Sequence, residues 1–461
     1  EEYYSEGMMN AGPYARLKFA MDYWCVLWNW PIDKAELLPN RNVFLLELSL
    51  ILEGGILPVV KNTGIQVGMK FNDNFITPIN INNPAEQIID TFGNKLGQVN
   101  LDMLCEQYER LKIVRELSNN YKFIHWELEF ADVFNNAGGF DLVVGNPPWL
   151  KLEWKEQGIL GDLDPIIIVK NLSANETIKY RQNVLSNSES LKLYFSEYEE
   201  AAGIQRYLNS VQNYPELTGI QSNLYKCFIP KAWNNTNKNG ISGFIHPEGI
   251  YDDAKGGRFR KEVYKKLRLH FQFENQKKLF DIDSKIRYSI NVYSNTTTSK
   301  FKTISNLFLP STIDECFDYS KDNNTKVPGI KDDYGQWETR GHKDRILKIS
   351  NKELKLFSEL YDGECTDYLY ARLPAIHSVQ ILSVLDKFAG QEIRLSYYDS
   401  IIAMTEMWHE TNRQKDGTII KKTIFPEKEI DLILSGPHIG LSNPLSKTPQ
   451  RVCKTNSDYD I

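Results

Sequence analysis

The chain has 461 residues, 41% hydrophobic and 25% charged, a balance that excludes disorder as the dominant state and predicts roughly two to four packed domains. With 54 Lys and Arg against 60 Asp and Glu the net charge is −6, so no global basic field attracts a polyanion and any nucleic-acid surface must be local. Asn29, Glu47 and Glu53 interrupt the runs nearest to the ~20 apolar residues of a membrane helix, and six scattered cysteines without a C-x-x-C pair indicate neither zinc nor a disulfide framework, which fits a reducing cytoplasm.

From Tyr14 to Trp30 apolar residues (Leu17, Phe19, Ala20, Tyr23, Trp24, Leu27, Trp28) recur at helical spacing until Pro31 stops them. This predicts an amphipathic helix whose Tyr23–Trp28 cluster is core and not a stacking platform. Val43–Leu52 predicts a second helix ended by Gly54-Gly55, Thr63–Asn83 a loop, and Ala85–Asn119 a helical stretch entered at Pro84 and broken near Gly93. The period changes at Phe140-Asp141-Leu142-Val143-Val144, a short apolar run that predicts a strand buried on both faces, as in parallel sheets. Residues 151–235 are helical in pattern, including Ser190–Leu208 and Leu224–Trp233. Ile241–His246, His270–Phe273 and Tyr288–Tyr293 predict further strands around a helix at Arg258–Leu269, and the alternation indicates an α/β sheet. Beyond Asn306 loop-prone stretches (Asp318–Asn324, Val327–Gln336) take over. The expected division is 1–120, a mainly helical segment; 121–310, the α/β part; and 311–461, a further region of α+β type.

The strand at 140–144 runs into Gly145-Asn146-Pro147-Pro148-Trp149, at the carboxyl end where open α/β sheets bind ligands. Two prolines fix φ and withdraw two donors, which leaves a stiff turn with free carbonyls. The Asn146 side-chain oxygen and the Pro147 carbonyl could take both hydrogens of an exocyclic amine and direct its lone pair outward, while Trp149 stacks on the ring that bears it. The competing reading is an ordinary strand exit, since Asn and Pro are common turn formers.

Phe140–Trp149 resembles the catalytic motif of S-adenosylmethionine-dependent amino-methyltransferases, in particular the gamma-class N6-adenine DNA methyltransferases, and the longer stretch resembles the large type IIG-like restriction-modification and phage-defence methylases. Trp126-Glu127-Leu128-Glu129-Phe130 leading to Phe134 is similar to that family's lead-in. Gln221-Ser222-Asn223-Leu224-Tyr225, Gly243–Gly249, Gly256-Gly257-Arg258-Phe259-Arg260, Phe273-Glu274-Asn275, Leu279-Phe280, Ser435-Gly436-Pro437-His438 and Asn443-Pro444 are similar to its later motifs. The resemblance implies a Rossmann-like class I methyltransferase core with helical insertions and a C-terminal target-recognition region. It implies S-adenosylmethionine as cofactor and double-stranded DNA as partner, together with other restriction or defence-system subunits. Asn146 and the Pro147 carbonyl would then hold the adenine amine, with Pro148 stiffening the turn. Trp149 and Phe280 would stack on a base flipped from the duplex.

One feature departs from the family. Its glycine-rich cofactor turn is not found upstream of Asn146, where Glu53-Gly54-Gly55 follows a helical pattern, so the cofactor loop is expected on polypeptide preceding Glu1. Among other candidates, Lys255, Arg258 and Arg260 sit at a glycine turn and helix start suited to phosphate contact, against the alternative of a solvated helix face. Arg340–Arg345 and Lys447–Arg451 are similar basic loops. Trp408-His409-Glu410 and His438 lack metal-ligand spacing, and no metal is expected. Asp332-Asp333 with Lys343 only approximates a nuclease triad. The rival functions are a protein-glutamine or RNA-base methyltransferase, and a DNA-binding or assembly subunit that keeps the fold without turnover.

Overall fold

The computed structural model describes residues 12–53, 70–71, 74–75 and 101–391, except 171, 173, 221–222, 299, 320–324 and 363–365, with short pieces between 393 and 420. Gly54-Gly55, most of the loop at 63–83, the helical stretch before 101, Gln221-Ser222, Trp408–Glu410, Ser435–His438, Asn443-Pro444 and Lys447–Arg451 lie outside the described residues. The chain divides into two compact units, Glu1–Gly390 and Gln391–Ile461.

In the first unit α1 (Pro13–Val26) starts with proline at its first turn and α2 (Arg41–Glu53) packs on it, joined by α3 (Leu101–Gln107) and α4 (Glu109–Tyr121). Their apolar stripes bury Phe19, Tyr23, Val26, Ile51, Leu111 and Val114 together, and Tyr23 lies in this core as its spacing predicts. Two short helices, α5 (Trp126–Glu129) and α6 (Ala131–Ala137), then lead to the sheet. Trp126 stacks on Phe130, and Phe130 and Phe134 both meet Phe140 edge-on, so the aromatic lead-in orients the first strand. Gly139 has a φ of +132°, and a Cβ there would lie 2.6 Å from the Asn235 carbonyl oxygen. Only glycine lets the chain turn in that space.

Six strands form one mixed sheet: β1 (Phe140–Gly145), β2 (Thr236–Pro247), β3 (Leu267–Glu274), β4 (Arg287–Ser294), β5 (Phe301–Leu307) and β6 (Leu347–Ile349). Their order is β1-β2-β4-β3-β5-β6, with β1/β2 and β3/β5 parallel and the remaining pairs antiparallel. Between β1 and β2 the chain inserts α7 (Glu156–Leu163), α8 (Ile166–Val169), α9 (Ala174–Val184) and α10 (Ser188–Asn209), which share a small core of Leu160, Ile167 and Tyr194, before α11 (Leu224–Asn235) returns to β2. After β2 come α12 (Gly249–Asp252) and α13 (Gly257–Lys266); α14 (Ser311–Phe317), α15 (Asn351–Phe357) and α16 (Val379–Ala389) follow β5.

Two findings differ from the sequence reading. Among the described residues β1 is an edge strand, with Leu142 61% and Val144 72% exposed on one face, where its short apolar run predicts burial on both. Val143, on the other face, packs on the main core. The sheet also continues past 311, because β6 pairs with β5 (Phe301 opposite Ile349) and packing runs on to Gly390. The loop-like pattern concealed it: Thr303, Ser305 and Asn306 are polar yet buried. Arg345 donates to the Ser305 and Asn306 carbonyls (3.0 Å each), and Thr303 Oγ1 bonds His270 Nδ1 (2.8 Å). Polar groups paired in this way can occupy a sheet interior.

Candidate active site

Gly145 is the last residue of β1 and pairs with Phe244 of β2, so Asn146-Pro147-Pro148-Trp149 leaves the sheet at the carboxyl end of its two parallel strands. Asn146 and Pro148 are exposed, Pro147 is buried and Trp149 is half-buried. Among the described residues neither the Asn146 side chain nor the Pro147 carbonyl takes part in a hydrogen bond with another protein group. Both acceptors are therefore unspent, that of Asn146 on an exposed residue and that of Pro147 on a buried one. The Trp149 indole N–H donates to the Ile245 carbonyl of β2 (3.3 Å), and Leu224 N–H at the start of α11 donates to the Leu150 carbonyl (2.9 Å), which ties the indole and the residue after it to neighbouring elements.

The loop between β3 and β4 brings Phe280 to Trp149, with ring centroids 5.8 Å apart. Tyr288, the second residue of β4, lies 5.8 Å from Trp149 and meets Phe280 edge-on at 4.9 Å. Trp149 and Phe280, the two rings expected to flank a base, thus lie in contact with each other. The loop is shaped by Asn275, which is fully buried. Its amide donates to the Phe280 and Ile282 carbonyls (3.0 Å each) and accepts from the Phe280 N–H (3.2 Å). Phe273-Glu274-Asn275 flagged this stretch in the sequence, but the spacing alone could not show that Asn275 holds Phe280.

Behind the corner, His246 is fully buried and neutral. Its Nδ1–H donates to the Pro247 carbonyl (2.9 Å), which fixes the tautomer, and Nε2 accepts from the Tyr293 hydroxyl (2.8 Å). Burial lowers its pKa to about 4. Next to it Glu248 and His270, both buried, bond at 3.1 Å. Burial alone would raise the Glu248 carboxyl, but the contacts from His270 and Ser289 hold it below its ordinary value.

The basic turn behaves differently. Lys255 and Arg258 are exposed, as phosphate contact requires. Arg260 is 1% exposed, and its guanidinium donates to the carbonyls of Tyr370 (2.9 Å), Ile250 (3.1 Å) and Asp253, so it is an internal staple out of reach of a DNA backbone. The phosphate role expected for it is corrected. The Arg340–Arg345 loop is corrected in part for the same reason: Arg345 is fully buried on backbone carbonyls and Arg340 pairs with Glu338. Asp332 accepts from the N–H groups of Tyr334 (2.9 Å) and Gln336 (2.8 Å), a turn-forming role. Among the described residues no group of three or more His, Cys, Asp or Glu side chains is placed to hold a metal ion, and no helix is long and apolar enough to cross a membrane.

No curated protein matches the chain. Among solved structures the chain is similar to a DrdV–DNA complex (16% identity, TM-score 0.22, 38% of this chain and 15% of that one) and to a type I restriction-modification assembly (13%, 0.26, 62% and 47%). It is also similar to a modification subunit of a putative type I restriction enzyme from Vibrio vulnificus YJ016 (11%, 0.26, 61% and 67%). The chain thus spans under half the length of the first two. Residues 38–280, more than half of the chain, match the Eco57I restriction-modification methylase family, and the chain belongs to that family.

Proposed function

We propose that this protein transfers a methyl group from S-adenosylmethionine to N6 of adenine in double-stranded DNA, as the modification activity of a restriction-modification or phage-defence system, in company with other subunits of that system. The observation that carries this is the pair of unspent acceptors, the Asn146 side-chain oxygen and the Pro147 carbonyl, on a stiff turn beside the Trp149 and Phe280 rings. Adenine offers a planar ring to stack and an exocyclic amine whose two hydrogens those acceptors would take, directing its lone pair outward. Stacking on Trp149 and Phe280 would offset part of the cost of unstacking the base from the duplex. As the amine attacks, positive charge grows on nitrogen, and two fixed oxygen dipoles stabilise it without rearrangement.

The methyl donor supplies an electrophilic sulfonium carbon when bound. No described residue forms the glycine-rich turn that would hold it, so the chemistry given above concerns the acceptor side alone. The exposed apolar face and open edge of β1, with Leu142 and Val144, are the surface on which we place the cofactor-holding part of the domain. Residues 121–310 would then carry the catalytic half, and the region from 311 onward would read the DNA sequence while lending β6 to the sheet.

The test is methylation of adenine-containing duplex DNA by the full-length protein. Asn146→Ala, an exposed position, is expected to fold normally and lose about a hundredfold or more in rate. Undiminished transfer by that variant would remove the assignment.

A further inference from the structure

Tyr288 stands where the site and the sheet core meet. Its partners in register are Pro247 on β2 and Phe273 on β3, which puts it at the same end of the sheet as Asn146–Trp149. Its ring stacks on Phe273 (5.5 Å, 4° between planes) and touches both Phe280 and Trp149. The residue is only 2% exposed, and its hydroxyl has no hydrogen-bond partner. Other buried tyrosines contrast with it. Tyr251 donates to Asn291 Oδ1 (2.7 Å), Tyr264 to the Ala371 carbonyl (2.7 Å) and Tyr293 to His246 (2.8 Å). Burial raises the Tyr288 phenol to about 12, so it remains a donor at neutral pH.

A buried hydroxyl that satisfies nothing inside the protein is a net cost, and phenylalanine would fill the same space without it. The explanation best supported by the surroundings is a partner that arrives with the substrate. We propose that the Tyr288 hydroxyl is a specificity-determining contact that donates a hydrogen bond to a ring nitrogen of the purine admitted beside Trp149. This rests on the reading of the 146–149 corner as an amine-binding site. Asn146 and Pro147 would read the amine, and Tyr288 would read the ring itself, so that a planar amine without a suitably placed ring nitrogen binds less well.

The test compares Tyr288→Phe with the unaltered full-length protein on duplexes whose target adenine is replaced by 1-deaza-, 3-deaza- or 7-deazaadenine. On adenine, kcat/KM of the variant is expected to fall about five- to tenfold. Its melting temperature should hold or rise, because an unsatisfied group has been removed. One of the three analogues should cost the unaltered protein a similar factor and cost the variant nothing more, since the nitrogen and the hydroxyl form one bond. Unchanged kcat/KM on adenine, losses that add for all three analogues, or a lowered melting temperature would each overturn the proposal. Asn146→Ala run alongside separates the two readings. Full transfer by that variant sinks the site itself, whereas its loss together with an unaffected Tyr288→Phe sinks only the phenol contact.

Discussion

The corner at Asn146–Trp149 and the basic turn at Lys255–Lys266 attract attention in the sequence for similar reasons, each a cluster of groups suited to a ligand, and the structure treats them in opposite ways. At the corner the acceptors are left unspent on a rigid turn. In the basic turn Arg260 has satisfied three carbonyls, Lys261 pairs with Asp367 (3.1 Å) and Lys265 with Glu262 (2.7 Å), leaving Lys255 and Arg258 as exposed cations. A ligand-binding group is recognised by hydrogen-bonding capacity that the fold has not used. Residue type alone does not reveal this.

Substitutions can break that contrast. Arg260→Ala should be the most damaging to the fold, removing about 3 kcal/mol or more because three buried carbonyls lose their donor; chemical denaturation measures it, and Lys should not rescue a planar fork. If Arg260→Ala instead left stability intact and weakened DNA binding, the staple reading would fail. The spent groups behind the corner should also respond to acid. His246 is held near 4 in the fold against about 6.5 when unfolded, so the unfolded chain gains a proton first as pH falls. Its effect is absent at pH 7, and about 3 kcal/mol is lost between pH 6.5 and 4. Unfolding at several pH values should show the slope in that window reduced by about one proton in His246→Gln.

Smaller effects sharpen the comparison. Asn275→Ala frees the carbonyls that shape the Phe280 loop and is expected to cost about 2 kcal/mol, with amide exchange rising first at residues 280–283. Arg258→Ala should leave the melting temperature unchanged and lower the salt dependence of DNA affinity by about one phosphate contact. An unaltered salt slope would place Arg258 with the merely solvated cations.

Much of the α/β core and the tetrapeptide were legible in the sequence because both are written locally. The apolar run of β1, the helix at 188–209 and the prolines at 147–148 each act within a few residues of themselves. What could not be read depends on distant partners. The edge position of β1 is set by which strands pair with it, and β5 escaped notice because Thr303, Ser305 and Asn306 carry polarity that only His270 and Arg345 explain. Within the site, Asn146 and Trp149 announce themselves. Asn275 matters because its amide spans a loop that has no periodic pattern, and Tyr288 reads simply as one more aromatic residue in a strand.

The two aromatic walls of the site are mounted very differently. Trp149 is fastened through its indole nitrogen to a strand of the central sheet, whereas Phe280 rides on a short loop shaped by the Asn275 amide together with local turn hydrogen bonds. A purine sandwiched between them needs roughly 7 Å, more than the 5.8 Å that separates the rings. On the proposed function the fastened ring would be the fixed jaw and the loop the moving one, and the speed with which a flipped base is gripped and released would be a property of residues 275–286 more than of the tetrapeptide at 146–149.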